Sequence, residues 1–320
     1  MVKVNSVLGP INTSDFGYTL AHEHIMVNSA GIQQTFPELI DRQGSIEQSV
    51  KDLSEAHKNG LRTIVDLTTH DLGRDIRLIE EVSQRSGVQV IACTGTWLDI
   101  PRAFTSWAQG PENIAPLYVR EINEGIERTG IKAGIIKVAS DGKEVTSGEK
   151  IVLQAAAIAH KETGVPISTH TSAQGNIGEQ QLEILIEEGV DPKCIYIGHS
   201  NDNDDIDYLL SLLNKGVWLG LDRYPGGYHV GTPKWERRTE VAKQLIDAGF
   251  SHRIMLAHDW SVILDNDSTP PWRLERLNDN PHHYLFIDRV VIPRLRELGV
   301  SGEAIKQMMV SNTQAFFETK

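Results

Sequence analysis

The chain has 320 residues, of which 40% are hydrophobic and 23% are charged, and its formal net charge is −12. This composition is that of a globular protein with a substantial core, and the acidity argues against nucleic acid or an anionic membrane as a partner. No stretch approaches the roughly 20 apolar residues of a membrane span, and residues 1–17 have no apolar signal core. With only Cys93 and Cys194 as thiols, the sequence predicts reduced cysteines and a cytoplasmic location.

Short, strongly apolar runs recur along the chain and predict strands that are buried on both faces, as parallel sheets require. Amphipathic helical segments separate them, and several of these segments end in glycine, which favours helix termination. The predicted strands cover residues 18–27, 62–69, 88–97, 133–140, 165–172, 194–201, 217–224 and 253–260.

This alternation predicts a (β/α)8 TIM barrel, with residues 1–320 forming one domain. Extended loops are expected after the seventh strand (loop 7, residues 225–238) and the eighth (loop 8, residues 261–281), followed by C-terminal helices. The alternative, a doubly wound sheet, would need a glycine-rich phosphate turn after the first strand. Residues 21–31, AHEHIMVNSAG, lack that spacing.

Ionisable side chains occur where the predicted strands end, which is where barrel active sites lie. Imidazole and carboxylate together suit zinc or another first-row divalent metal. Each histidine alone could be a hydrogen-bonded core residue, and the aspartate could cap the next segment, but four histidines on three strand ends favour a metal site. The neighbouring His258 is expected to point away and to be structural. The candidate ligands are His22, His24, Lys137, His170, His199 and Asp259.

Two of these candidates need separate comment. In LAHEHIMV, His22 and His24 are two residues apart, so a strand would place both imidazoles on one face. Lys137 lies in the apolar segment GIIKVAS, where burial favours the neutral amine. A neutral amine can take up CO₂ as an anionic carbamate that bridges two metals. The alternatives are a lysine that extends to solvent and the Schiff-base lysine of an aldolase, which the His-x-His pair disfavours.

Six segments in chain order resemble the phosphotriesterase family of the amidohydrolase superfamily, which includes phosphotriesterases and phosphotriesterase-like lactonases. The resemblance covers nearly the whole chain. The segments are HEH (22–24), GIKAGIIKVAS (130–140), TGVPISTHT (163–171), EEGVDP (187–192), IGHSND (197–202) and LAHDW (256–260).

The resemblance implies a homodimer with a binuclear metal centre, usually of zinc, with cobalt, manganese or iron as alternatives. It implies that His22, His24 and Asp259 hold the more buried metal and that His170 and His199 hold the more exposed one. N6-carboxylysine at Lys137 and a hydroxide would bridge the two metals.

The implied reaction is hydrolysis, in which the bridging hydroxide attacks a carbonyl carbon or a phosphorus atom. Asp259 would accept its proton. Asp202 is expected to pair with Arg223 and to steer this proton relay, the alternative being an ordinary surface salt bridge. With Lys137, these residues form the predicted catalytic set.

The predicted substrate contacts favour two different substrates. Arg223, in LDRY, resembles the lactonases, whereas Trp97 occupies a position where phosphotriesterases have tryptophan and lactonases have tyrosine. Tyr224 could supply the missing hydroxyl, and Trp260 is a further candidate contact. For Trp235 and Trp272, simple packing within the loops is expected.

The expected function is therefore hydrolysis of lactones, either acyl-homoserine lactones or simple γ- and δ-lactones. Hydrolysis of paraoxon-like organophosphate triesters would accompany it as a promiscuous activity. One alternative is a protein that is primarily a phosphotriesterase, an aryldialkylphosphatase, as Trp97 suggests. The other is a non-catalytic zinc-binding barrel, which the complete ligand set disfavours.

Overall fold

A parallel sheet forms the centre of the molecule. The computed structural model describes residues 2–101, 104, 106, 109–172, 175–226, 231–266 and 269–319. Within these residues, eight parallel strands pair in sequence order. They are β3 (Tyr18–Glu23), β4 (Leu61–Asp66), β5 (Gln89–Gly95), β6 (Ile135–Ser140), β7 (Ile167–Thr171), β8 (Ile195–Ile197), β9 (Trp218–Leu221) and β10 (Ile254–Leu256).

Backbone hydrogen bonds just beyond the two edge strands bring the ends of this sheet together. His24 N–H donates to the carbonyl of Trp260 at 2.8 Å, and Asp259 N–H donates to the carbonyl of His22 at 3.2 Å. The sheet is therefore a nearly closed barrel, and the predicted (β/α)8 fold is confirmed.

Helices alternate with the strands along the chain and cover the outside of the barrel. They are α1 (Ile32–Thr35), α2 (Arg42–Lys58), α3 (Ile76–Ser86), α4 (Pro111–Asn123), α5 (Ser147–Thr163), α6 (Ile177–Glu187), α7 (Ile206–Asn214), α8 (Trp235–Asp247), α9 (Pro271–Asp279), α10 (Ile292–Glu297), α11 (Gly302–Lys306) and α12 (Asn312–Glu318).

Strand β6 shows how the barrel separates its two faces. Ile136 and Val138 belong to the large apolar cluster between strands and helices, whereas Ile135 belongs to a second cluster together with Cys93 and Tyr196 of neighbouring strands. Because side chains alternate along a strand, the residue two positions after Ile135 faces the interior as well. That residue is Lys137, so the strand pattern itself places a lysine inside the barrel.

A short hairpin precedes the barrel and was not predicted from the sequence. Strands β1 (Lys3–Ser6) and β2 (Gly9–Asn12) pair antiparallel. Val4 of β1 joins the cluster that also contains Phe16 and Phe317, whose rings meet edge to face at 5.4 Å. The strands have four residues each and are only partly buried, so they leave little periodicity in the sequence.

The loops after the last two strands also contain regular structure. Loop 8 is long, as predicted, but helix α9 occupies its second half and begins at Pro271, a favourable first helical position. In loop 7, residues 227–230 lie outside the described residues, and α8 begins at Trp235. The predicted C-terminal helices form with a π-helical segment in each, at Ile287–Val291 and Gln307–Ser311. The first of these directly precedes the turn that contains Pro293, which has no backbone N–H to donate.

Three further predictions concern the chain as a whole. Cys93 and Cys194 are not bonded to each other and are both buried, and their reduced state stays a prediction. In the described part of the chain, no helix combines the length and the apolar character that crossing a bilayer would demand. That residues 1–320 form a single domain stays a prediction.

Candidate metal centre and active site

A cavity of about 550 Å³ lies where the barrel strands end, and the predicted ligands line it. Arg223 and Trp97, two of the predicted substrate contacts, belong to the same wall. The structure therefore brings together side chains that are up to 237 residues apart in the sequence. The predicted ligands on this wall are His22, His24, Lys137, His170, His199 and Asp259.

His22 and His24 reach the cavity from the end of β3. The pairing of β3 with β4 shifts register between Leu20 and Glu23, as in a β-bulge, and β3 ends at Glu23. His24 therefore lies just beyond the strand, where its Nδ1 is 2.8 Å from Oγ1 of Thr68. Both imidazoles face the cavity, as predicted, whereas the side chain of Glu23 between them points away to His258.

The donors around Asp259 have the spacing of a metal site. Oδ1 of Asp259 is 3.0 Å from Nε2 of His24 and 3.5 Å from Nε2 of His22. Ligands at about 2.1 Å from a tetrahedral zinc ion lie roughly 3.4 Å from one another. The three donor atoms all lie within 4.8 Å of each other. These residues could therefore hold a divalent metal without rearranging their backbone.

His199 and His170 are the two other histidines on the cavity wall. Their rings meet edge to face with centroids 4.5 Å apart, and Nε2 of His199 is 3.9 Å from Oδ2 of Asp259. Nε2 of His170 is 3.0 Å from Oδ1 of Asp141, a carboxylate that sequence reasoning missed. Because that bond engages Nε2, the Nδ1 atom is the nitrogen that His170 could offer to a metal.

Left-handed backbone conformations occur at two of the candidate ligands. His199 has φ 58° and Asp259 has φ 54°, values that are uncommon for residues other than glycine. Such strain is tolerated where the surrounding structure imposes it, and it concentrates at functional sites. Here it occurs where β8 and β10 end and the chain turns across the mouth of the barrel.

Asp222 is a further buried carboxylate in the site. Its Oδ2 is 2.7 Å from Nδ1 of His22 and accepts a hydrogen bond from the hydroxyl of Tyr196 at 2.9 Å. Its Oδ1 accepts the backbone N–H of His199 at 2.8 Å and lies 2.9 Å from the Nδ1 atom of the same residue. Sequence reasoning did not assign Asp222, although a polar residue directly after an apolar strand was the available signal. The carboxylate binds the Nδ1 atoms of two imidazoles, so both Nε2 atoms are free to face the cavity.

The electrostatics favour the neutral form of three of the imidazoles, those of His22, His170 and His199. Burial, together with the nearby charge of Lys137, lowers the pKa of His22 to about 4. Burial also lowers the pKa of His170 to about 4, although the hydrogen bond that His170 donates to Asp141 opposes this shift. Burial holds the pKa of His199 well below its usual value. A metal binds the neutral imidazole, so these side chains are already in the ligating protonation state.

Lys137 and Asp259 are shifted in directions that also suit a metal site. Lys137 is 2% exposed, Nζ lies 3.4 Å from Nε2 of His22, and burial lowers the pKa of the amine to about 8. Burial alone would raise the pKa of Asp259, but His199, His24 and Arg223 outweigh it and hold that pKa well below its usual value. Asp259 is therefore an anion in the absence of metal, and Lys137 has an accessible neutral form near neutral pH.

The predicted ion pair between Asp202 and Arg223 is present and is buried. Nη1 of Arg223 donates to Oδ2 of Asp202 at 2.6 Å, and Nε donates to Oδ2 of Asp259 at 2.9 Å. Asp202 also accepts a hydrogen bond at 2.6 Å from Arg238, whose side chain is 1% exposed. Arg223 therefore links Asp259 to a buried carboxylate that is itself fixed by a second arginine, which is not the arrangement of a surface salt bridge.

The aromatic candidates differ in their positions. Trp97 lines the cavity, with its ring edge to face against His170 at 5.8 Å. Tyr224 and Trp260 are fully buried, and neither is among the described residues on the cavity wall, so the structure does not bring them to the site. Trp272, for which we expected simple loop packing, is instead 62% exposed and lines the cavity. Trp235 packs against Phe286, in agreement with the expected loop packing.

Glu23 and His258 form a second network behind the metal ligands. Oε1 of Glu23 lies 2.7 Å from Nδ1 of His258 and accepts the backbone N–H of the same residue, while Oε2 accepts the N–H of Trp260. Nε2 of His258 accepts the N–H of Ile287 at 3.1 Å. His258 is therefore structural, as predicted, and the carboxylate in the middle of the HEH motif fixes the segment that carries Asp259.

Comparisons with known proteins identify the family of the chain. The model of the phosphotriesterase family matches residues 2–317. The chain is 38% identical to an aryldialkylphosphatase of Saccharolobus solfataricus over 96% of either chain. It is 38% identical to a phosphotriesterase homology protein of Mycobacterium tuberculosis over 99% of this chain and 98% of the relative. A phosphotriesterase homology protein of Escherichia coli is 31% identical over 94% of this chain and 98% of the relative. The chain belongs to the phosphotriesterase family and is a metal hydrolase that acts on ester bonds.

Proposed function

We propose that the protein is a binuclear-metal hydrolase of the phosphotriesterase-like lactonase type. The observation that carries this proposal is the convergence of four imidazoles, one carboxylate and one buried lysine on a single cavity. The proposed ligands are His22, His24, His170, His199, Asp259 and Lys137 in its carboxylated form. Zinc is the first candidate metal, and cobalt, manganese and iron are the alternatives.

Two bound divalent ions would supply hydroxide at neutral pH and would polarise the ester oxygen. The remaining chemistry belongs to the chain. Asp259, held as an anion by its neighbours, accepts the proton of the attacking nucleophile. Arg223 orients that carboxylate through Oδ2 and extends the polar network to Asp202, which provides a route for the proton away from the reacting centre.

Lactones and related carboxylic esters are the proposed substrates, and organophosphate triesters are turned over promiscuously. Arg223 lies on the cavity wall, and it supports the lactone assignment because the LDRY segment that contains it resembles the lactonases. The second candidate, a primary phosphotriesterase activity, is supported by Trp97 on the same wall and by the relative named aryldialkylphosphatase. The same nucleophile would attack the carbonyl carbon of a lactone and the phosphorus atom of a triester. The side chains of the cavity wall therefore determine which substrate is preferred.

The metal stoichiometry and a substrate panel test this function together. Purified protein should contain about two divalent metals per chain, and chelation should remove activity that added zinc, cobalt or manganese restores. Acyl-homoserine lactones, simple γ- and δ-lactones and paraoxon should be assayed side by side. Higher kcat/KM for lactones supports the first candidate, and higher kcat/KM for paraoxon supports the second. The absence of hydrolysis with two metals bound would instead support a non-catalytic metal-binding barrel.

The role of Lys137 has its own test. Lys137→Ala should bind metal poorly and lose activity, and short carboxylic acids should restore part of both by replacing the carbamate. Lys132→Ala, which changes an exposed lysine before the same strand, is the matched control. Metal content and activity that are unchanged in Lys137→Ala would exclude the carbamate.

Two further expectations belong to this proposal. We propose a homodimer, which sedimentation equilibrium of the purified chain tests directly. We also propose a cytoplasmic location, which fractionation of the source cells tests.

A further inference from the structure

Two arginines of helix α9 contribute to the wall of the cavity, and the proposed mechanism does not use them. Arg273 and Arg276 are one helical turn apart, and both line the cavity together with Ser261 and Trp272. Nη2 of Arg276 donates to the backbone carbonyl of Asp259 at 3.0 Å. The helix therefore places the guanidinium group of Arg276 against Asp259, a proposed metal ligand, and that of Arg273 on the same cavity wall.

The surroundings of Arg273 are unfavourable for a positive charge. The side chain is partly buried, and Arg276 adds repulsion, so burial and that charge together lower the pKa of Arg273. Arg273 also lies in the first turn of α9, where the helix dipole disfavours a cation, and this turn contains no acidic residue. Among the residues that the structure describes, no carboxylate lies within ion-pair distance of Arg273.

The hydrogen bonds of Arg273 leave most of its donors available. Nη2 donates to Oγ of Ser261 at 3.2 Å and to the carbonyl of Val262 at 3.4 Å, and these are its hydrogen bonds to the described residues. Within the described residues, Nε and Nη1 have no hydrogen-bond partner and are available to a ligand. By contrast, Arg223 on the same wall is neutralised by Asp202 and Asp259.

The rest of the cavity wall does not balance this charge. Asp259 is the one carboxylate among the described lining residues, and Arg223 already pairs with it. A substrate without charge would leave the guanidinium of Arg273 unpaired in a partly desolvated wall, whereas an anionic group would satisfy it with charge-assisted hydrogen bonds. This local positive charge lies in a chain with a net charge of −12, so it is a feature of the cavity and not of the overall composition.

We propose that the natural substrate is an ester or lactone that carries a carboxylate or phosphate group, and that Arg273 binds this group. The inference rests on the proposed hydrolase function and specifies its substrate class. The apolar lining of the same cavity, which includes Leu72 and Ile40, suits the carbon chain between the scissile bond and the anion. Arg273 also borders a side pocket of about 90 Å³, but Asp41 lines that pocket, so the anionic group lies on the side of the main cavity.

Pairs of substrates that differ in one anionic group test the proposal. 4-Nitrophenyl butyrate is compared with the mono-4-nitrophenyl ester of glutaric acid, and a γ-lactone with a hydroxymethyl group is compared with its phosphate ester. The metal-loaded wild-type protein should prefer the anionic member of at least one pair by about tenfold or more in kcat/KM. The preferred pair identifies the anion as carboxylate or phosphate, and the preference should weaken as the salt concentration rises.

Variants at Arg273 connect that preference to this side chain. Arg273→Gln should lower kcat/KM for the preferred anionic substrate by about 10- to 100-fold, mainly through KM, because one charged hydrogen-bonding partner is lost. Hydrolysis of the uncharged partner should stay within about twofold. Arg273→Lys should retain part of the preference, and Arg237→Gln, which changes an exposed arginine of α8, should retain all of it.

Failure of this inference differs from failure of the proposed function. Hydrolysis of uncharged esters with no preference for either anion overturns the anionic substrate class but leaves the hydrolase intact. An equal loss on charged and uncharged substrates in Arg273→Gln, with Arg273→Lys equally impaired, assigns Arg273 a structural role and overturns the inference. If the metal-loaded protein hydrolyses none of the four compounds, that result contradicts the proposed hydrolase function itself, and the anionic substrate class with it.

Discussion

Asp222 lies 2.7 Å from Nδ1 of His22 and 2.9 Å from Nδ1 of His199, so one carboxylate holds imidazoles that come from the ends of two different strands of the barrel. Burial would raise the pKa of Asp222, but His22, Lys137 and Tyr196 outweigh it and lower that pKa. An ionised carboxylate can only accept hydrogen bonds, so both Nδ1 atoms must carry protons. Both Nε2 atoms then have free lone pairs that point into the cavity.

Asp222→Asn should weaken metal binding by about 10- to 100-fold, as loss of an orienting hydrogen bond to a ligand histidine typically does. An amide presents one acceptor and an N–H₂ group, so it cannot accept from both imidazoles at once. Competition with a chelator measures the change in metal affinity.

Tyr196→Phe is the matched control, because it removes a neighbouring donor to Asp222 and leaves both histidine bonds in place. It should change the metal affinity less than Asp222→Asn does. Equal metal affinity in Asp222→Asn and the wild type would contradict the orienting role.

The fold and the candidate ligands were predictable because both leave local signals in the sequence. An apolar run that ends in a histidine or aspartate marks a strand and its carboxyl end, and the barrel brings those ends together. His170 and Asp259 were therefore found without any knowledge of the distance between them.

Other parts of the site depend on geometry that no local pattern encodes. Asp141 and Asp222 act on histidines 29 and 23 residues away, through hydrogen bonds that exist only after the strands have paired. Trp260 is next to Asp259 in the sequence, but its side chain stacks on His283 at 5.3 Å instead of entering the cavity. Trp260 was predicted as a substrate contact, but its ring packs against Arg276 of α9 and His283, and this packing sets the direction of the side chain.

Arg223→Gln should lower kcat by about 10- to 100-fold while the metal content stays near that of the wild type. Arg223 contacts Asp259 through Oδ2 and is not itself a metal donor, so its loss should affect the orientation of the proton acceptor more than metal binding. Steady-state kinetics and metal analysis on the same preparation measure both effects. Arg237→Gln on α8 provides the control, and a parallel loss of metal in Arg223→Gln would show that the arginine mainly maintains the ligand set.

Glu121→Gln should destabilise the protein and reduce the dependence of its stability on pH. The side chain of Arg74 is 1% exposed and donates to Glu121 at 2.6 and 3.0 Å, and removal of one partner of such a buried pair costs about 3 to 5 kcal/mol. Burial would raise the pKa of Glu121, but Arg74 outweighs it and lowers that pKa. A lowered folded-state pKa means that the pair stabilises the protein fully above the unfolded-state value of about 4.3, and that this stabilisation is lost as the pH falls through the folded-state pKa.

Urea denaturation of metal-free protein at pH 7 and at progressively lower pH tests this expectation. The stability difference between the wild type and Glu121→Gln should be largest at pH 7 and should shrink on acidification. Glu297→Gln, which removes an exposed pair with Arg294, should cost no more than about 1 kcal/mol at any pH. A difference for Glu121→Gln that does not change with pH would contradict an ionic origin.

Trp97→Tyr should shift the specificity towards lactones. The backbone N–H of Trp97 donates to both carboxylate oxygens of Asp71, at 3.0 and 3.2 Å, so the position of this residue does not depend on its side chain. Tyrosine keeps an aromatic ring near His170 and adds a hydroxyl that can donate to a lactone oxygen, which the indole lacks at that point. We expect kcat/KM to rise several-fold for lactones and to fall for paraoxon.

Trp97→Phe separates the effect of the smaller ring from the effect of the added hydroxyl, because it reduces the ring without adding a hydroxyl. If Trp97→Phe and Trp97→Tyr change the ratio of the two activities equally, ring size and not the hydroxyl determines the preference at this wall.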